Sequence, residues 1–351
     1  MNELSHLIPV RHSSVQQGIE EQAEALVPQI LPDEHIDPFR LYPSAQVGPV
    51  VLSVPHGGWQ YPKSLVTTDN LERCISLADT GTAELGTMLA GGNFPVLIAS
   101  CSRAACDLNR PKQALDGLLC AGADTFVPIA FKSYVAAGYG VIPRLSADKL
   151  PLYERILNKV QWQKILDLWH TPYHQKLTDL LRVAHAHNEH VFLIDLHSMP
   201  DNPERSSKTK LFPLASRRLP DFVFGNLHGA TLTHKAARRI DRVMSQTEFS
   251  WHWNTPYAGG YITRHYGLTT KEDGLIPPIE VLQIEVNRRL YKSQINNQQN
   301  AKIMAVKHVI EKICDRTNQP MNRSSTWITA LAHKGFHFLF ATASAQEFQR
   351  G

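Results

Sequence analysis

The chain is short of the features that would place it outside the cell or on a nucleic acid. Its five cysteines, Cys74, Cys101, Cys106, Cys120 and Cys314, are odd in number and nowhere spaced as Cys-x-x-Cys. That pattern argues against a disulfide framework and against a thiolate zinc site. No apolar h-region follows Met1 and no run of about 18 apolar residues occurs, so neither a secretory signal nor a membrane-spanning helix is expected. Charge of one sign is also scarce: 36 Lys and Arg stand against 32 Asp and Glu, a net +4, with the basic residues scattered. Such a balance makes nucleic acid a poor partner. No internal repeat is visible. The expectation is a cytoplasmic protein in a reducing compartment, with a small molecule rather than a membrane or nucleic acid as its partner; oligomeric state is not written in the sequence.

What is present is a chain able to bury a full core, with 351 residues and 43% apolar content. Strand-like runs at Val50 to Val54, Pro95 to Ala99, Val191 to Ile194, Phe222 to Phe224 and Ile279 to Ile284 alternate with helix-like stretches. This predicts an α/β fold with a mixed, mostly parallel sheet flanked by helices on both faces. Before it lie an amphipathic stretch over Ser14 to Ile30 and a Pro-punctuated loop from Pro32 to Pro43. Residues 111 to 147 read as a long excursion over the surface, Leu152 to Asn188 as two helices broken at Thr171-Pro172, and the tail after Tyr291 as helical to about Cys314.

Two runs put a histidine just beyond a strand, His56 in Val54-Pro55-His56-Gly57-Gly58 and His197 in Asp195-Leu196-His197-Ser198. Open α/β sheets bind ligands at the carboxyl ends of their strands, and a neutral imidazole is a good zinc ligand. Singly, His56 suits a helix-capping turn and His197 a bonded strand end; together they suggest one metal ion. A third ligand should be a carboxylate, since a catalytic zinc takes three protein groups and leaves a position for water. The residue three beyond His56 is Trp59. Asp79, ahead of a helix, suits either ligand or N-cap, and Glu84 follows as a weaker choice.

Beyond the strand ending at Ala99, Arg103, Asn109 and Arg110 suit a bidentate clamp on a carboxylate and a polariser for a carbonyl oxygen. Surface salt bridging is the alternative for each arginine. Glu285, at the end of an apolar strand, suits a general acid/base, or a structural pair with Arg288 or Arg289. Tyr261, Thr263 and Arg264, after Gly259-Gly260, line either a polar pocket or a hairpin turn.

Together, Pro-His-Gly-Gly, Asp-Thr-Gly-Thr, Ser-Arg with Asp-Leu-Asn-Arg, Gly-Val-Ile-Pro-Arg, Asp-Leu-His-Ser-Met-Pro, Gly-Gly-Tyr-Ile-Thr and Ile-Glu-Val-Asn-Arg resemble the N-formylglutamate amidohydrolase family. The resemblance covers roughly residues 48 to 292, leaving an N-terminal arm (1–47) and a C-terminal helical extension (293–351). It implies a zinc-dependent hydrolase with a phosphorylase/hydrolase-like fold, distantly akin to zinc carboxypeptidases and aspartoacylase. The reaction it implies is release of formate from N-formyl-L-glutamate, a final step in one route of histidine degradation. Carried over, His56 and His197 hold one Zn2+, Asn109 and Arg110 the substrate carboxylate, Arg103 the scissile carbonyl, and Glu285 the proton. Those relatives place a glutamate where this chain has Trp59, which raises the claim of Asp79. Arg144 or Arg264 is then the partner of a second substrate carboxylate. Other N-acyl-amino-acid amidohydrolases, a carboxypeptidase-like peptidase, a non-catalytic binding protein and a scaffold without metal remain the alternatives.

Overall fold

The structure is a computed structural model that describes residues 26–123, 126–201, 219–268, 279–291 and 297–318, with the backbone alone for 297–302 and 316–318. The amphipathic stretch from Ser14 to residue 25, most of the loop from Pro200 to Lys210, and Trp327 to Phe340 lie outside the described residues. Nine strands are described: β1 Gln29–Leu31, β2 Phe39–Tyr42, β3 Val50–Val54, β4 Gln60–Pro62, β5 Val96–Ala99, β6 Val191–Met199, β7 Phe222–Gly225, β8 Trp251–Trp253 and β9 Ile279–Asn287. Seven of them form one sheet in the order β2-β5-β3-β6-β9-β7-β8, and β1 pairs with β4 apart from it. The central strands β5, β3, β6 and β9 run parallel. Among the described strands of this sheet, only the β2–β5 and β7–β9 pairings are antiparallel.

Parallel strands covered on both sides need apolar residues at every position, and β3, Val50-Val51-Leu52-Ser53-Val54, is buried throughout. Alternate residues divide the core. Val51, Leu97, Leu193 and Val281 pack with Tyr173, Leu177 and Leu181 of the helix Thr171–His187. Leu52, Val54, Ile194 and Ile284 pack with Leu85 and Leu89 of Thr82–Leu89, with Ile240 of His234–Met244, and with Ile310 and Ile313 of Asn297–Asn318. Helices therefore cover both faces. Full burial of each such aliphatic side chain contributes about 1.5–3 kcal/mol, so this double layer is what holds the sheet rigid.

Several local expectations change. Ile30 is in a strand, paired in register with Tyr61, and the stretch Pro32 to Pro43 supplies the sheet's edge strand rather than a plain loop. Thr171-Pro172 does not break the chain into two helices. A π turn, Leu166–His170, passes directly into Thr171–His187, because the Thr171 N–H reaches back to Leu166 O and proline is tolerated in the first turn of the helix that follows. The excursion 111–147 is anchored as well as exposed: Val141 and Ile142 are fully buried, and the Asp107 N–H donates to Val141 O at 2.7 Å. Among the described residues, no helix is long and apolar enough to cross a membrane.

Candidate metal centre and active site

The parallel pairing of β3 with β6 brings their C-terminal ends to the same edge. His56 lies two residues past β3, whereas His197 lies inside β6, which runs on beyond Ile194 to Met199. The extension is polar but fully buried because β9 pairs along its whole length, with Asp195 opposite Gln283 and His197 opposite Glu285. Partners in register share a face of the sheet. The face that carries Val191, Leu193, Ile279 and Val281 in the core therefore becomes a polar patch at its C-terminal end.

Asp79 reaches this patch from the loop before Thr82–Leu89. Its N–H donates to the His56 carbonyl at 3.2 Å, which ties the two loops together. It does not cap the helix: Gly81 occupies that position and no side-chain cap is made. Instead the Asp79 Oδ2 lies 3.0 Å from His197 Nδ1 and 3.4 Å from His56 Nδ1. One ligand atom from each of His56, Asp79 and His197 fits within 4.8 Å of the others, and all three residues are buried. Glu84 sits on the exposed side of its helix. Trp59 cannot take the place of the acid, since its ring is buried in the core under the Arg40 guanidinium at 4.4 Å.

The outer nitrogens of both rings face carboxylates: His56 Nε2 is 2.7 Å from Asp107 Oδ1, and His197 Nε2 is 3.0 Å from Asp195 Oδ2. His56 is thus oriented by a hydrogen bond to Asp107, whereas His197 Nε2 is bonded by Asn109 Nδ2 with the Asp195 carboxylate close by. The Nδ1 atoms of both rings converge on Asp79, an arrangement in keeping with ligating histidines held through their other nitrogen. His56 Nδ1 is buried without a hydrogen-bond partner, a cost relieved by a cation at that point. The donor set of two imidazoles and one carboxylate fits a divalent transition metal such as zinc.

Burial opposes charge on Asp79, yet His56, His197 and Arg103 hold its carboxyl well below the usual range. Burial likewise opposes the His197 cation, but Asp195 and Asp79 push that ring well above its ordinary value. Glu285 is raised to about 7, first by burial and then by the charges of Asp79 and Asp195, against the pull of His197 and Arg103. It accepts from Gln283 Nε2 at 2.9 Å. Neither arginine considered as its partner is so used. Arg289 pairs with Asp221 at 2.7 Å, and Arg288 donates to Ser198 Oγ at 2.9 Å and Ala78 O at 2.8 Å, 3.5 Å from Asp79 Oδ1.

Arg103 bridges two acids, 2.8 Å from Asp107 Oδ2 and 3.4 Å from Asp79 Oδ1, and its buried Nε has no protein partner. Asn109 spans the site: its Nδ2 is 3.2 Å from His197 Nε2 and its Oδ1 accepts the Ile262 N–H at 2.8 Å. Arg110 spends Nε on Tyr139 O at 3.1 Å and Nη1 on Asn109 O at 2.8 Å, and lies over the Tyr134 ring at 4.3 Å. Its Nε and Nη1 are therefore committed to the protein.

Gly259-Gly260 opens the helix Tyr261–Leu268 rather than turning a hairpin. Thr263 is fully buried, its hydroxyl 3.5 Å from Gln283 Oε1, and the Tyr261 ring sits among Phe131, His170, His174 and His265. Arg264 is exposed and Arg144 is paired with Asp116 at 2.8 Å, so neither is gathered into the cluster. Three contributors were not singled out from sequence: Asp107, Asp195 and Gln283. For the last two the signal was available as polar residues two apart in an apolar strand, Asp195 with His197 and Gln283 with Glu285. Tyr257, pushed up to about 12 by burial and then by the negative charges of Glu285 and Asp79, adjoins the same group. The glycines of Pro55-His56-Gly57-Gly58 serve backbone approach: a Cβ on Gly58 would lie 2.0 Å from Cys101 O.

Residues 48–292 match the family model for N-formylglutamate amidohydrolase. The chain belongs to this family. It is 30% identical over 232 residues to an N-formylglutamate deformylase of Pseudomonas aeruginosa, a match covering 62% of this chain and 75% of that protein. It is 29% identical over 251 residues to one of Pseudomonas putida, covering 70% and 82%. A crystal structure of N-formylglutamate amidohydrolase from Ralstonia eutropha superposes with a TM-score of 0.67 at 25% identity, covering 80% of this chain and 98% of that one. A gene product of Agrobacterium tumefaciens, 14% identical with a TM-score of 0.54 over 81% and 97% of the two chains, shares the fold. As a member of the N-formylglutamate amidohydrolase family, this protein is a hydrolase acting on an amide bond.

Proposed function

We propose that this protein is a zinc-dependent deformylase that cleaves N-formyl-L-glutamate to formate and glutamate, with His56, Asp79 and His197 as the metal ligands. The observation that carries the reading is the convergence of these three side chains beside Glu285, which pairs in register with His197. A bound zinc ion supplies a Lewis acid and makes water a nucleophile at neutral pH. Glu285 takes the proton of the attacking water and returns it to the departing amine nitrogen, a task suited to a carboxyl raised to about 7. Arg103, charged and fixed between Asp79 and Asp107, faces the oxygen on which negative charge develops. Arg110 Nη2 and the Asn109 amide hold the α-carboxylate. On this reading the protein works in the cytoplasm, in the chemistry that ends one route of histidine breakdown.

A second reading has one specific observation in its favour. Arg144 is tied to Asp116 and Arg264 is exposed, so neither arginine expected to read the glutamate side chain is free beside the site among the described residues, as a broader N-acyl-amino-acid amidohydrolase would have it. A panel of N-formyl and N-acetyl amino acids with added divalent metal decides between them. Formate release confined to formylglutamate supports the first, equal rates across the panel the second. Less than one equivalent of bound metal, with no rescue on adding zinc, cobalt or manganese, would sink both.

A further inference from the structure

The run Leu108-Asn109-Arg110 lies in a turn, so its shape depends on whatever takes its carbonyl oxygens. All three are taken by side chains. Leu108 O accepts from His174 Nε2 at 2.9 Å, Asn109 O from Arg110 Nη1 at 2.8 Å, and Arg110 O from His170 Nε2 at 2.8 Å. His170 and His174 stand one helical turn apart where the π turn meets Thr171–His187, their rings 4.4 Å between centroids. A carbonyl only accepts, so each ring carries its proton on Nε2. For His170 the other nitrogen confirms this: Nδ1 is buried without a partner, and a second proton there would be an unpaired buried donor. His174 Nδ1 faces the Tyr266 hydroxyl at 3.0 Å. The two imidazoles thus grip the backbone on either side of Asn109, whose own side chain reaches His197 and Ile262.

We propose that His170 and His174 are positioning residues for substrate binding: as neutral donors they hold the two carbonyls that bracket Asn109 and so aim Asn109 and Arg110 at the substrate carboxylate. This rests on the reading of Asn109 and Arg110 as carboxylate binders. Neither histidine touches substrate. A merely structural pair would affect stability alone, whereas a positioning pair shifts KM.

The test compares three substitutions at each position. Glutamine carries its amide nitrogen about as far out as Nε2, asparagine stops short, and leucine has no donor. His170→Leu and His174→Leu are expected to raise KM for N-formylglutamate roughly tenfold with kcat changed less, as loss of one hydrogen bond's worth of alignment implies. The asparagine forms should follow leucine, and the glutamine forms should stay near wild type. Where the leucine forms fail to fold, the glutamine–asparagine contrast decides. Hydrogen exchange at the Ile262 amide, which bonds Asn109 Oδ1, reads the same alignment without turnover and should quicken in the asparagine forms. Equal KM in the glutamine and asparagine forms, or unchanged Ile262 protection, overturns the proposal. If the wild type hydrolyses no N-formyl amino acid, the functional reading fails separately, and Ile262 exchange still decides whether the pair fixes Asn109.

Discussion

Gly260→Ala is a one-methyl perturbation whose outcome can be worked from the site. Gly260 is not among the residues with positive φ, so alanine meets no backbone strain there. In open space the change would stabilise the fold by about 0.4–1 kcal/mol, through lost freedom in the unfolded chain. Here the new Cβ would lie 2.2 Å from Asn109 Nδ2 and 2.5 Å from its Oδ1. The amide must swing away, leaving the Ile262 N–H without the acceptor it now has at 2.8 Å. An unsatisfied buried donor costs about 1–3 kcal/mol and crowding a similar amount. The sign should therefore reverse, giving a net loss of about 1–5 kcal/mol in denaturant titrations at unchanged m. KM for N-formylglutamate should rise about tenfold as Asn109 leaves its place. The cycle with Asn109→Ala isolates the cause: once the amide is gone, Gly260→Ala should be neutral or stabilising. A Gly260→Ala protein as stable as wild type with unchanged KM would refute the argument, as would equal penalties in both backgrounds.

Glu285→Gln should lower kcat by about 10²–10⁴-fold while bound metal, read by elemental analysis, stays the same; metal loss in step with activity would show a structural role instead. Asp107→Asn removes the carboxylate 2.7 Å from His56 Nε2 and should weaken zinc binding about 10- to 100-fold in chelator competition. Burial holds His170 down from 6.5 to about 4, so in this window the unfolded chain binds the extra proton and stability falls as pH falls from about 6.5 to 4, then no further. At about 1.4 kcal/mol per pH unit, the wild type should lose roughly 2–3 kcal/mol more than His170→Gln between pH 7 and 4.5; parallel titrations would contradict this. Glu285 works in the opposite sense there, favouring the fold as pH falls from about 7, but it is common to both proteins and cancels in the difference.

The strands were legible because a parallel strand buried on both faces is a continuous apolar run, as Val50 to Val54 shows. The polar ends were harder. β6 and β9 continue through Asp195, His197, Gln283 and Glu285, residues that look like strand ends until their mutual pairing buries them. His56 and His197 could be read from placement at the ends of apolar runs, and Asn109, Arg110 and Glu285 from polar residues at or just after such runs, their roles then sharpened by the family resemblance. Asp107 could not, since an acid in a turn is ordinary and its role depends on a ring 51 residues away in the chain. Asp79 was balanced between cap and ligand because both need an oxygen just before a helix. What separates them is where Gly81 places the N-cap, a fact of backbone geometry.

The site divides between parts held in different ways. His197 and Glu285 stand on central strands, where ladder bonds and two core layers fix them. His56, Asp79, Arg103, Asn109 and Arg110 come from loops, where polar contacts add to the burial of neighbours such as Ala104, Ala105, Cys106 and Leu108. Those contacts interlock: Asp79 N to His56 O, Asp107 to His56, Arg103 and the Asn109 N–H, and His170 and His174 to the carbonyls around Asn109. Each of these bonds holds only while its neighbours stay, so removing one member should cost more than one hydrogen bond. The strand half of the site should therefore tolerate neighbouring apolar substitutions that keep volume. The loop half should respond to polar changes one turn away that touch neither metal nor substrate.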